Sequence, residues 1–97
     1  MNKKRTHLEV VHDILTVVKS KHGNVKPTHI LYKSNLSHQM MGAYLRELTD
    51  KYFIIEQKFE RGRTYDITSK GSQFLEGYGL IDQFTISFGL NVNVEKN

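Results

Sequence analysis

Two short helical patterns joined by only Ser34-Asn35-Leu36 constrain this chain more than any other feature. Three residues cannot form a wandering connection, so the two helices must be spatial neighbours. Upstream of the joint, Thr28 to Lys33 reads as one short helix, with Pro27 suited to its start and Ile30 and Leu31 as core candidates. Asn35 tolerates the left-handed conformation that ends such a helix. Downstream, Ser37 is a strong N-cap, and Leu36 and Met41 have the spacing of a hydrophobic staple. The second helix then runs from His38 to about Lys51. Its apolar stripe is Met41, Tyr44, Leu45 and Leu48, and its other face carries His38, Gln39, Gly42, Ala43 and Arg46.

Further elements flank this pair. Thr6-His7-Leu8-Glu9 has the form of a capping box. Leu8, Val11, Ile14, Leu15 and Val18 follow at helical spacing, so a helix is expected over 6–21, ended near Gly23. After the central pair, 52–59 reads as an aromatic and β-branched strand, and 64–68 alternates as its return. Glu60-Arg61-Gly62-Arg63 is the turn between them. Thr68 or Ser69 caps a fourth helix bearing Phe74, Leu75, Tyr78 and Ile81. Gly77 and Gly79 weaken that helix by about 1 kcal/mol each relative to Ala. Beyond Gln83, Ile86, Phe88, Leu90, Val92 and Val94 alternate with polar or small residues, which predicts an extra strand over 85–94. A helical reading there reaches only Phe88, through Ile81 and Phe84. Tyr44, Tyr52, Phe53, Tyr65 and Phe74 are expected in the core.

A chain of 97 residues has room for one domain, and too little for a barrel or a doubly wound sheet. With no cysteine there is no disulfide, thiolate zinc site or thiol nucleophile. His7, His12, His22, His29 and His38 show no metal-binding spacing, and no glycine pattern matches a phosphate-binding loop. No catalytic constellation is visible, so neither enzyme activity, metal, cofactor nor small-molecule ligand is expected. No apolar run approaches a membrane span, and the basic start at Met1–Arg5 lacks the apolar stretch of a secretory signal. A soluble cytoplasmic, nucleoid-associated protein is the expectation. Charge is uneven: residues 1–70 hold 13 basic and 7 acidic residues, and residues 71–97 one basic and three acidic. The basic part suits a polyanion, and the acidic remainder a different task.

The order helix, short helix, turn, helix, hairpin, helix predicts an α+β winged helix-turn-helix: a three-helix core, a β-hairpin wing and a C-terminal helix with a possible extra strand. Lys26–Ser37, Tyr44–Ile54 and Tyr65–Leu75 resemble the corresponding signatures of small archaeal winged-helix proteins, over residues 6–80. That family includes dimeric chromatin-associated proteins and transcription regulators of archaea and their viruses. The resemblance implies double-stranded DNA binding by a homodimer. Its members usually extend the fourth helix into a dimerising coiled coil, whereas Gly77, Gly79 and the alternating segment predict a break here.

On this reading residues 1–70 form the DNA-binding unit and 71–97 a dimerisation segment. Helix 38–51 presents Ser37, His38, Gln39, Gly42, Ala43 and Arg46 to the major groove, where Gln pairs with adenine and Arg with guanine. Ser37 is chiefly a cap. Lys58, Arg61, Gly62 and Arg63 form a wing contacting phosphate. Weaker backbone candidates are Lys3, Lys4 and Arg5 in a basic arm, with Thr28, His29 and Lys33 on the short helix. Phe74, Tyr78, Ile81, Phe84, Phe88 and Leu90 are the expected dimer interface, because a strand of this kind must bury a face. The sequence thus points to a transcription regulator. Its alternatives are an architectural chromatin protein of low sequence preference and a winged-helix module that binds protein.

Overall fold

A computed structural model describes residues 5–21 and 23–90. Helix α1 (His7–Ser20) starts at the expected capping box: Glu9 N–H donates to Thr6 Oγ1 (3.1 Å) and Thr6 N–H to the Glu9 carboxylate (2.8 Å). Val10, Val11, Ile14, Leu15 and Val18 form its buried stripe. Leu8 departs from that expectation and is 55% exposed, because the stripe begins one turn later at Val10 and Val11. Helix α2 (Pro27–Ser34) ends at Asn35, whose φ of 56° is the left-handed conformation anticipated for it. Helix α3 (His38–Asp50) is capped by Ser37 Oγ, which accepts from Met40 N–H at 3.1 Å. Leu36 and Met41 both join the core, together with Ile30, Leu31, Leu45 and Leu48. The central pair is therefore a helix-turn-helix packed on α1.

Strands β1 (Ile54–Phe59) and β2 (Gly62–Ile67) pair antiparallel from Ile54 opposite Ile67 to Phe59 opposite Gly62. The turn is only Glu60-Arg61, and Gly62 and Arg63 belong to β2. One pairing escaped the sequence reading. Val25 and Tyr65 exchange two backbone hydrogen bonds of 3.1 and 2.9 Å, so the α1–α2 connector forms a one-residue third strand on β2. Asn24 and Gly23 enter that bridge with φ of 58° and 98°, and Asn24 N–H donates to the Asp66 carboxylate.

Tyr52 is neither core nor strand, contrary to expectation. It is 71% exposed with φ of 65°. Tyr52 N–H bonds to the Thr49 carbonyl (3.1 Å) and Phe53 N–H to the Leu48 carbonyl (2.9 Å). That is the Schellman closure of α3, with a tyrosine where glycine is usual. A left-handed tyrosine costs about 1–2 kcal/mol, so Tyr52→Gly is expected to raise the stability of the fold by up to about 1 kcal/mol after the added chain entropy of glycine. Urea unfolding checks this, and a loss of stability would mean that the ring contributes more than its backbone costs.

Helix α4 (Ser69–Ser87) corrects the sequence reading most. It runs unbroken through Gly77 and Gly79, and residues 85–87, expected to begin a strand, are its last turn. Residues 91–94 of that expected strand lie outside the described residues. Phe74 and Leu75 pack against the core, and Phe74 meets the Phe53 ring edge-on at 5.9 Å. Tyr78 stacks on His12 of α1 at 4.2 Å. The distal turns then leave the core, and Ile81, Phe84 and Phe88 are 66, 62 and 64% exposed.

Candidate nucleic-acid interface

Burial of Met41, Leu45 and Leu48 fixes which face of α3 points outward. Gln39, Ala43, Arg46 and Asp50 recur at i, i+4, i+7 and i+11, so they form one exposed row opposite the core. His38 and Gly42 flank it and are also exposed. A Cβ at Gly42 would meet nothing within 4 Å, so the helix surface there is open to close approach. All five side-chain-bearing or small positions singled out on this helix, from His38 to Arg46, therefore share the free face. Ser37 is exposed, but its hydroxyl is committed to the cap.

The helix is held from behind. Glu47 accepts from Lys51 Nζ (3.0 Å) and meets His7 Nε2 of α1 at 3.2 Å, while His7 stacks on Tyr44 at 5.2 Å. The hydrogen bond from Lys51, followed by the nearby positive charge of His7 and Lys51, holds the Glu47 carboxyl below its usual range against an opposing effect of burial. A carboxyl depressed in the fold stabilises it above its ordinary pKa, and this contribution fades as pH falls through the depressed value.

The wing stands beside α3, and an open groove of about 270 Å³ separates them. Gly42, Arg46, Thr49 and Asp50 line one wall, and Glu56, Arg63 and Tyr65 the other. Arg63 Nη1 lies 3.5 Å from Glu56. Burial pushes the Tyr65 phenol up, and its hydroxyl donates to Glu56 at 3.4 Å. Arg46, Lys58 and Arg61 have no ion-pair or hydrogen-bond partner among the described residues. Of these uncommitted cations Arg46 lines the groove, which also holds the carboxylates of Asp50 and Glu56, whereas Lys58 and Arg61 lie on the wing outside it. Asp50, Thr49 and Glu56 were missed by a sequence reading that looked for cations. The i+4 repeat from Arg46 would have found Asp50.

The remaining candidates are scattered. Arg5 is no loose arm: it donates to Asp13 of α1 at 2.6 Å and to the Asn35 carbonyl at 3.1 Å, tying α1 to the turn of the helix pair. Lys3 and Lys4 lie outside the described residues. Thr28 and Lys33 are exposed and His29 half-buried on α2. Of the expected dimer residues, Phe74 and Tyr78 make contacts within the chain, whereas Ile81, Phe84, Phe88 and Leu90 do not enter the core. Among the described residues no cluster of His, Asp or Glu is arranged to hold a metal, and no helix is long and apolar enough to cross a membrane.

Residues 4–85 match a family model described as winged helix-turn-helix. No curated protein matches the sequence. Among solved structures, the fold is similar to that of Sso10a-2, a DNA-binding protein from Sulfolobus solfataricus. The TM-score is 0.72 at 19% identity, over 96% of this chain and 100% of that one. It is also similar to a protein from Pseudomonas aeruginosa PA01 described as a transcriptional regulator. There the TM-score is 0.71 at 15% identity, over 95% of this chain and 65% of that one.

Proposed function

Since the chain belongs to the winged helix-turn-helix family, we propose that it binds double-stranded DNA sequence-specifically and regulates transcription as a homodimer. The observation that carries this reading is the exposed row of α3 beside the wing, with Arg46, Lys58 and Arg61 unpaired. A helix of this diameter fits the major groove, where Gln39 and Arg46 have the chemistry to pair with adenine and guanine edges. Gly42 and Ala43 keep the helix slim enough to enter. Arg61 and Lys58 then meet flanking phosphates.

The carboxylates favour the specific over the architectural reading. Asp50 and Glu56 repel phosphate and so lower affinity for every duplex alike. Against a base edge, a carboxylate instead accepts from the cytosine amino group. A groove of mixed sign therefore suits base reading better than a uniform grip on the backbone. The mechanism is occupancy of an operator, with no chemical step. The Sulfolobus and Pseudomonas proteins, described as DNA-binding and as a transcriptional regulator, are consistent with this.

Selection of bound sequences from a random duplex pool, followed by titration, tests the proposal. Arg46→Ala is expected to weaken binding to the selected duplex by about 1–3 kcal/mol and to blur preference at one base pair. Lys58→Ala with Arg61→Ala is expected to weaken all duplexes alike and to shrink the log–log salt slope by about two per subunit. Equal loss on all sequences for Arg46→Ala would make Arg46 a phosphate contact. No enrichment of any sequence would favour the architectural reading.

A further inference from the structure

Two buried hydroxyls, on Ser34 and Thr64, have no hydrogen-bond partner among the described residues. A hydroxyl taken out of water without a partner is costly, so each calls for a reason. Thr64 is 9% exposed and lines an open groove of about 430 Å³ between the wing and the start of α2. That groove holds a second unused donor. Helix α2 begins with no side-chain cap, and Pro27 brings no N–H to its first turn. Thr28 N–H, next in line, meets no acceptor among the described residues. The walls are mostly carbon, from Pro27 and from the Phe59 ring, which is 58% exposed. Lys26, Arg61 and Arg63 rim the groove, and no carboxylate lines it. Lys26 and Arg61 have no ion-pair partner among the described residues.

Donors without acceptors, beside cations without carboxylates, call for an anion. The ring and the proline call for an apolar body attached to it. The volume is in the range of small-molecule sites. We infer that this groove binds a small organic acid, such as an aromatic carboxylate. Its carboxylate accepts from Thr28 N–H and from the Thr64 hydroxyl, between the charges of Lys26 and Arg61, and its apolar body packs on Phe59 and Pro27. The Thr64 hydroxyl reaches it by rotation about Cα–Cβ, exchanging places with the methyl. A duplex phosphate satisfies the cations but brings no apolar body for the ring. Occupancy takes Arg61 away from flanking phosphate, so the bound acid lowers affinity for a duplex, and the duplex lowers affinity for the acid by the same factor. This regulatory half rests on the DNA-binding reading above, whereas binding of the acid does not.

Titration of the isotope-labelled full chain with benzoate, followed by amide NMR at constant ionic strength, tests the site. Acetate, inorganic phosphate and benzamide are the comparisons. Benzoate is expected to saturate one site per chain and to move the amide signals of Thr28, Phe59 and Thr64. Each comparison lacks either the apolar body or the charge and is expected to bind about tenfold more weakly. Thr64→Val keeps the shape without the hydroxyl and is expected to lose about tenfold in benzoate affinity, whereas Thr64→Ser keeps the donor and most of the affinity. No saturable shift with benzoate overturns the inference, and so does Thr64→Val with parental affinity. Benzamide as good as benzoate leaves only an apolar patch, and phosphate as good as benzoate only a pair of cations, and either overturns it. The same shifts produced by raising protein concentration alone, and not reversed by benzoate, overturn it in favour of a second copy. On the selected duplex, saturating benzoate is expected to weaken binding of the parent, and unchanged duplex affinity overturns the regulatory half. A parent that takes benzoate but binds no duplex at any salt overturns the DNA-binding reading and leaves the acid site standing.

Discussion

A full-length chain carrying Ile81→Gln, Phe84→Gln and Phe88→Gln is expected to sediment as a monomer at micromolar concentration where the parent sediments as a dimer. Its affinity for a duplex with two half-sites is expected to fall by about 10²–10⁴-fold, the avidity that linkage supplies, while affinity for one half-site is kept. The argument starts from where α4 goes. Its first turns pack on α1 and β2, and its distal turns lie beyond the core. Gly77, Ile81, Phe84 and Phe88 recur at i, i+4, i+7 and i+11, which is one stripe of the helix. Each large side chain on it gains about 1.5–3 kcal/mol when fully buried, so an exposed row of them favours association. A shallow apolar groove lined by Leu8, Tyr78, Ile81 and Thr85 extends the patch onto α1. A two-fold pairing of α4 would cover it in both copies at once. Two recognition helices then address half-sites about one helical turn, roughly 34 Å, apart. A parent already monomeric, or a triple variant still dimeric, would defeat this.

The elements that were legible in the sequence are those whose signals are local. Thr6 with Glu9, Ser37 and Asn35 each act within four residues, and each does in the fold what its spacing announces. Tyr52 was not legible, because aromatic residues signal strand and nothing local says that α3 closes on a left-handed tyrosine. Val25 was not legible either, since a single bridge residue carries no period. The end of α4 was misread for a deeper reason. A hydrophobic period reports which faces are buried within one chain, and Phe84, Ile86 and Phe88 are exposed on nearly every side of this helix. Alternation and helical stripe therefore coexist there, and Gly77 and Gly79, which signal a break, do not end the helix. The helix tolerates both because about 1 kcal/mol each is small beside the packing of Phe74, Leu75 and Tyr78. On α3 the exposed row followed directly from the apolar stripe, so its candidates were found together. Glu56 required knowing which side of β1 faces the helix, which only the tertiary structure gives.

Gly71→Ala is expected to destabilise the fold by about 1–3 kcal/mol or more, whereas Gly77→Ala and Gly79→Ala are expected to stabilise it by about 1 kcal/mol each. The same substitution thus takes opposite signs within one helix. A Cβ at Gly71 would collide with the Phe53 carbonyl oxygen and come within 2.7 Å of Ile67 Cγ1. At Gly77 and Gly79 a Cβ would meet nothing within 4 Å in the same chain, so within the protomer only the helix propensity changes. The start of α4 cannot slide to relieve the collision. Gly71 N–H donates to Thr68 Oγ1 at 3.1 Å, and that hydroxyl in turn donates to the Tyr52 carbonyl at 2.7 Å, with the Phe53 carbonyl at 3.0 Å. Lys70 adds a bond to the Lys51 carbonyl at 2.8 Å and lies over the Phe53 ring. Moving α4 outward breaks this clamp, and moving Phe53 disturbs the closure of α3 behind the recognition face. Urea unfolding at one fixed protein concentration measures all three variants on one scale, since stability of a self-associating chain depends on concentration. A Gly71→Ala chain as stable as the parent would mean that α4 and the Phe53 carbonyl do not approach this closely.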